Sequence, residues 1–477
     1  MLPHRFPAPA VCPSDEFQIF ANGEEIFVRQ DPRVSYDTVD LDGKLYRTVQ
    51  DRPAFALLSS DECIHFEIQC RRPFQNVVLR PASAGARCKV TEGKIEIDID
   101  GPRKLSVELD GNLHDPLYLL VSPPQEHIPD RNNPNIHWFE GGKVHDIGKL
   151  TLHSNETVYI EDGAVVNGSI VAENAENIRI SGHGVLTDRP ELGPRGQSIS
   201  LKNCKNITVE GITLLYSHWP AWQLVPFNCD HVRIRDVNII THAPSGDGID
   251  LVGCQHVRVS DCFIKTNDDC VAIKSTNQSR RNVRDILVEN CVCWSATHGN
   301  GCEIGYELVC EDVSEITFRN LDLIHCQYEG YQSGGAMTIH NGDCATVHDV
   351  LFEDIRIEDA QEKLIDIKVL KAIWSSEEKR GKVQNITFRN IRVIDGRMPP
   401  SIIRGFESKE SIFRIEYEGT GSDRHFFVRR DLRGEGCVSD IHIDGLYDHG
   451  KRLDNVFDAK MIVEIATNIH FLPQKEE

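Results

Sequence analysis

The sequence has no apolar run long enough to cross a bilayer. Across its 477 residues no stretch approaches the ~18 consecutive apolar positions that a spanning helix needs. An excess of positive charge is missing as well. Lys and Arg number 52 against 73 Asp and Glu, a formal net charge of −21, whereas a nucleic-acid partner demands a basic footprint. Neither membrane nor nucleic acid is therefore expected as a partner. The same shortage of cations argues weakly against a polyanionic polymer, unless a local basic patch overrides it. The N-terminus lacks the apolar core of a secretory leader, and Pro3, Pro7 and Pro9 interrupt what hydrophobicity it has, so the expected location is the cytoplasm. No phosphate-cradling glycine loop, metal-spaced histidine pair or Ser-His-Asp order is found, and no cofactor or resident metal is expected.

Cysteine, by contrast, is plentiful, with 16 residues. Cys204, Cys254, Cys262, Cys291, Cys293 and Cys326 each sit inside strand-like runs rather than loops, which reads as buried reduced thiols acting as small hydrophobes. The Cys291-x-Cys293 pair has one intervening residue and no matching second pair, a poor zinc pattern. At 40% hydrophobic and 26% charged residues the chain is globular in composition. Its length suits a repeat array plus an extra domain.

One short phrase recurs from residue 177 onward, an Asn, His or acidic residue followed by alternating apolar positions. It begins at Asn177, Asn206, His231, His256, Asp285, Glu315, Asp349 and Asn385, at spacings of 29, 25, 25, 29, 30, 34 and 36 residues. The period-2 alternation and β-branched residues within each unit exclude helix pairs, and no antiparallel hairpin signature of a propeller blade is present. Three short strands per unit, stacked turn on turn, predict an all-β fold, a right-handed parallel β-helix over residues 141–477. Residues 1–140 differ. Segments such as Glu25-Ile-Phe-Val-Arg and Lys94-Ile-Glu-Ile-Asp-Ile-Asp, separated by turn residues, predict a small antiparallel β-sandwich.

One coil carries Pro244-Ser-Gly-Asp247-Gly-Ile-Asp250 and the next Thr266-Asn-Asp268-Asp269-Cys-Val-Ala-Ile-Lys274. Asp247 and Asp268 are 21 residues apart, close to one turn of the coil, so three carboxylates should share one patch. Mutual repulsion there raises at least one pKa and makes a proton donor plausible at neutral pH. Hydrolysis of a glycosidic bond needs that combination of a carboxylic acid and a carboxylate. Turn residues or a solvated edge would give the same local pattern. Strict alternation would send Asp268 and Asp269 to opposite faces, so both reach one cleft only if a bend or bulge falls near Thr266-Asn267. Lys274 flanks the patch as charge compensation or as a substrate contact. Trp219 and Trp222, one coil earlier, are candidate stacking platforms for sugar rings or buried packing.

The ordered segments Ser245-Gly246-Asp247-Gly248, Asn267-Asp268-Asp269 and Thr297-His298-Gly299 resemble those of the polygalacturonase family, glycoside hydrolase family 28. The resemblance extends to the dextranases and isopullulanases of family 49, over roughly residues 145–410. It implies the pectin-lyase-like solenoid, a carbohydrate substrate, Asp268 as general acid, Asp247 and Asp269 as the groups that activate water, and His298 as support for the acid. It also implies inversion at the anomeric carbon, with carboxyls about 6.5–9.5 Å apart. Where that family carries Arg-Ile-Lys this chain has Gly335-Ala-Met-Thr338-Ile339-His340-Asn341. The bidentate charge match for a uronate is absent there, which tilts the expected substrate toward a neutral or modified sugar. His340, Asn341, Glu303 and Glu307 are candidates for binding sugar hydroxyls. Two other classes stay open: a polysaccharide lyase, whose acidic triplet could hold calcium, and a non-catalytic carbohydrate-binding β-helix.

Overall fold

The computed structural model describes residues 11–30, 51–188, 196–216, 221–242, 245–296, 299–326, 334–406 and 436–473, together with the backbone of the short strands His4–Arg5, Asp37–Val39, Leu45–Arg47, Phe413–Glu418 and His425–Arg430. Two main sheets form the N-terminal part, beside the two-stranded ladder of Asp37–Val39 with Leu45–Arg47. One orders Arg87–Thr91, Lys94–Asp100, Cys63–Cys70, Phe17–Ala21 and Glu24–Ile26, antiparallel throughout. The other contains Ala54–Ser59, Asn112–Ser122, Arg103–Leu109 and Val77–Arg80, antiparallel except where Ala54–Ser59 runs parallel to Asn112–Ser122. Alternation decides the inner face: Ile95, Ile97 and Ile99 are buried while Glu96 and Asp98 between them are not. Ile19, Phe66, Ile68, Leu105, Val107 and Leu119 complete that core.

Most of the remainder is one sheet of 31 strands, parallel except where Lys451–Leu453 runs antiparallel to Val438–Asp448, wound into a right-handed β-helix from Ile136–Phe139 to Ala466–Phe471. Like residues stack on like. Val232, Val257, Ile286, Ile316, Val350, Ile386 and Ile441 make one buried column in unbroken register. Phe318, Phe352 and Phe388 stack with ring centroids 5.1 and 4.9 Å apart. Cys204, Cys254, Cys262, Cys291, Cys293 and Cys326 are buried in this interior as free thiols.

The recurring phrase has a backbone cause. Asn177, Asn206, His231, His256, Asp285, Glu315, Asp349 and Asn385 all have φ between 53 and 58°. That left-handed conformation kinks the chain near the start of a strand, just past the turn from the preceding one, and Asn, Asp and His tolerate it best among residues with a side chain. Amide side chains also bridge coils at these turns, as from Asn206 Nδ2 to Asn177 Oδ1 at 3.1 Å.

The sandwich lies on one face of the coil. Phe55, Tyr118 and Leu120 pack on Val185, Leu215, Ile240, Phe263, Val292, Trp294 and Ile324. Within this apolar interface the Lys265 ammonium of the coil pairs with the Asp51 carboxylate, which also accepts a hydrogen bond from His114 Nδ1 at 2.8 Å. Further out, Arg80 reaches Glu358 at 2.6 Å and Asp395 at 2.9 Å, and Lys104 meets Asp236 at 2.6 Å.

Candidate active site

Five stacked strands form the site face: Ile249–Val252, Val271–Ser275, Cys302–Leu308, Met337–Asn341 and Ile365–Val369. Ile249, Leu251, Val271, Ile273, Ile304, Ile339 and Ile367 point into the core. Alternation therefore sends Asp250, Ala272, Glu303, Thr338 and Asp366 outward as one row in register. His340, Lys368 and Arg404 make a second row.

Asp268 and Asp269 reach the same side because the strand Phe263–Thr266 ends before them and the next begins at Val271. The bend is fixed by Thr266 Oγ1, which donates to Asp268 O at 2.6 Å, and by Ser295 Oγ, which donates to the same oxygen at 3.1 Å. Glycine is required opposite it. A Cβ on Gly299 would lie 1.8 Å from the Asp268 carbonyl carbon and 2.2 Å from Asp269 N, and one on Gly248 would lie 2.5 Å from Cys270 O. The glycines of the Asp-Gly and His-Gly segments thus let the backbone pass against the carboxylate-bearing turn.

One oxygen from each of Asp247, Asp268 and Asp269 falls within 4.8 Å of the others. That is closer than the 6.5–9.5 Å expected of an inverting pair. Burial and the charge of Asp247 push the Asp268 carboxyl up to about 8. Burial, then Asp268, Asp247 and Glu303, raise Asp269 well above the usual range, and burial with Asp247 does the same to Asp250. Such a group cannot be fully ionised at neutral pH. Lys274 supplies the local positive charge, 3.0 Å from Asp247 Oδ2 and 2.9 Å from Asp250 Oδ1. The triplet is also the right donor set for a hard cation such as calcium, but the Lys274 ammonium already occupies that electrostatic role. Asp269 Oδ1 accepts from Asn300 N at 2.9 Å and Asn300 Nδ2 at 2.8 Å.

Beyond the triplet lies a second buried network. Glu303 accepts from Thr338 Oγ1 and from His340 Nδ1, the latter at 3.1 Å, while His340 Nε2 is 3.3 Å from Asp366 Oδ2. Burial pulls the imidazole down, but Glu303 and Asp366 outweigh it and lift His340 to about 9. Asp366 also holds Lys368 at 2.8 Å and Lys363 at 3.5 Å. Tyr306 stacks on His340 with centroids 4.4 Å apart, and the exposed Trp374 leans on Tyr306 at 5.0 Å.

The structure brings Asp247, Asp268, Asp269 and Lys274 together, with Glu303 and His340 beside them. Trp222 is half-buried and carries the Lys274 ammonium 4.2 Å over its ring. Glu307 is partly exposed at the end of the site strand. Asn341 is spent elsewhere: fully buried, its amide donates to Ala345 O at 2.7 Å and Lys382 O at 3.2 Å, closing the turn after its strand. His298 and Trp219 lie outside the described residues. Sequence reasoning passed over Asp250, Asn300, Thr338, Asp366 and Trp374. The signal for Asp250 and Asp366 was present as charged residues at outward positions of strands in the site's own column.

The model of the glycosyl hydrolases family 28 matches residues 149–397. A polygalacturonase of Juniperus ashei is 26% identical over 217 residues, covering 44% of this chain and 39% of that protein. A probable polygalacturonase of Arabidopsis thaliana is 25% identical over 203 residues, covering 41% and 42%. The chain thus spans about two-fifths of the length of these curated relatives. Among solved structures, Dex49A from Penicillium minioluteum shares the fold, with a TM-score of 0.59, 15% identity and 96% of each chain covered.

Proposed function

Since the chain belongs to family 28 of the glycosyl hydrolases, we propose that it is an inverting glycoside hydrolase that cleaves oligo- or polysaccharides. Asp268 gives its proton to the glycosidic oxygen as the bond to the anomeric carbon breaks. Water enters from the opposite face, positioned by Asp269 and giving up its proton to Asp247, the carboxylate beside Lys274. The observation that carries this reading is the convergence of three carboxyls around a group pushed up to about 8, a proton donor at neutral pH. For the sugar we take a neutral residue, since Lys274 faces Asp247 and Asp250; Lys363, Lys368 and His340, however, share Glu303 and Asp366, three cations on two carboxylates. Two second readings have support of their own. The short carboxyl spacing favours retention through an aspartyl intermediate, and the polygalacturonase relatives favour a galacturonide.

The test is a panel of α- and β-linked neutral oligosaccharides and oligogalacturonides, scored for reducing ends, for ultraviolet absorbance and for the first anomer by NMR. Reducing ends from a neutral substrate, with the inverted anomer and no absorbance, are expected. Asp268→Asn should lose about 10²–10⁴-fold of the rate, and wild-type activity should fall as pH rises through about 8, where the acid loses its proton. The retained anomer would overturn inversion, and turnover confined to oligogalacturonides would overturn the neutral sugar. An absorbing product would make the protein a lyase, and silence on every substrate would make it a binding module.

A further inference from the structure

At the far end of the site strands, where the chain turns away from the cleft, His occupies the left-handed turn position in two successive coils. His231 and His256 have φ of 56 and 54°; the equivalent positions before and after hold Asn206 and Asp285. The turn geometry fixes both imidazoles one above the other, ring centroids 4.7 Å apart and 33° from parallel. Asp230, the residue before the first of them, reaches both: His231 Nδ1 is 3.2 Å from Oδ2 and His256 Nδ1 is 2.6 Å from Oδ1. Two ring nitrogens and a carboxylate oxygen therefore converge within 4.8 Å.

We propose that Asp230, His231 and His256 form a binding site for a borderline divalent transition-metal ion such as zinc. An ion 2.0–2.2 Å from each donor sets the donors about 3.4 Å apart in a tetrahedron; the imidazoles stand 3.2 Å from one Asp230 oxygen and 2.6 Å from the other, with one atom of each residue within 4.8 Å of the rest, so small side-chain rotations reach that shape. Two imidazoles with one carboxylate suit zinc, nickel or cobalt, and do not suit calcium or magnesium, which take oxygen ligands. His231 is 55% and His256 35% exposed at the side chain, so an ion has an entry path and water can complete its shell. Lys205 is in register with Asp230 on the preceding coil, and its flexible stem lets the ammonium swing into solvent. The site is invisible to spacing rules because its ligands are brought together by a 25-residue coil rather than by one helix or loop. It is separated from the catalytic triplet by the length of a site strand, and a metal here acts on the turn ladder and not on the reaction.

The experiment is calorimetric titration of chelator-treated full-length protein with zinc chloride, with cobalt(II) absorption as a second readout. One zinc per chain is expected, with a visible d–d band for cobalt. His256→Ala and Asp230→Asn should each weaken binding at least about 10-fold. Asp268→Asn should leave it intact, which separates this site from the acidic triplet. Absence of stoichiometric binding, binding unaffected by His256→Ala, or binding abolished by Asp268→Asn would each overturn the assignment. If His256→Ala does not fold, His231→Gln read by the cobalt band decides the matter in its place: a retained band overturns the site.

Discussion

The ion pair between Lys265 and Asp51 is the sharpest test of how the sandwich is fixed to the coil. Both groups are almost fully buried, at 1% and 5% side-chain exposure, inside a contact otherwise made of Phe55, Tyr118, Phe263 and Trp294. Lys265→Met leaves the Asp51 carboxylate in that interface without its ammonium, with His114 and the charge of His242 to compensate it. Removing one partner of a buried pair costs about 3–5 kcal/mol, while removing both charges is often close to neutral. Asp51→Asn added to Lys265→Met takes away the stranded charge and keeps an acceptor for His114, so the double variant should recover to within roughly 1 kcal/mol of wild type. The assay is urea unfolding at pH 7, followed by far-ultraviolet circular dichroism and by tryptophan fluorescence, since Trp294 sits in the contact. Acidity adds a second arm. Burial raises the Asp51 carboxyl, but Lys265 and His114 outweigh it and hold it well below its ordinary 3.8. A depressed folded-state value contributes stability above the unfolded one and loses it as pH falls. The Asp51 contribution should therefore be level from pH 5 to 8 and shrink below about 4. A double variant as unstable as the sum of the singles would refute the reasoning, because the two charges would then not depend on each other.

Gly299→Ala should lower kcat by about 100-fold or more, because its Cβ would displace the Asp268–Asp269 peptide and misplace the acid; steady-state kinetics on a folded variant checks this, and unchanged kcat would count against the tight approach. His340, lifted from 6.5 to about 9, contributes stability that is complete below pH 6.5 and lost as pH rises through 9. Thermal midpoints of wild type and His340→Gln should accordingly converge between those values, by at most roughly 3 kcal/mol, and a constant gap would remove the imidazolium from the Glu303–Asp366 network.

The coil was legible in the sequence because its turns impose a rare backbone conformation, and the residues that tolerate it stand out as a recurrent Asn, His or Asp even where the strands between them share little. The convergence of Asp247, Asp268 and Asp269 was legible for the same reason, since one coil of spacing becomes one step of stacking. Alternation alone misplaced nothing on the strands and demanded a bend near Thr266-Asn267, without saying what holds it. Only Thr266 and Ser295, binding one carbonyl from two coils, show how both carboxylates face one way. Asp250 and Asp366 were hidden because a charge at an outward strand position is ordinary until its neighbours in the column are known. Asn341 misled because its sequence position is right while its amide is used by the turn. Asp51 could not have been paired with Lys265, 214 residues away, since sequence gives no distance between separate domains.

The loops of the coil are not equally free to vary. Between the strand pairs 230–235 and 238–241, 255–260 and 263–266, and 283–289 and 292–295, the connection is two residues each time. The connections entering the site strands are 242–248, 267–270, 296–301, 327–336 and 358–364, and those leaving them are 253–254, 276–282, 309–311, 342–345 and 370–381. The growth in spacing from 25 to 36 residues is thus spent at the two ends of the site strands. A chain built this way separates its frame from its instrument. Residues can be added to or removed from these connections while the ladder between coils keeps its register, so the surroundings of the carboxylates can be re-engineered by loop exchange at the ends of the site strands.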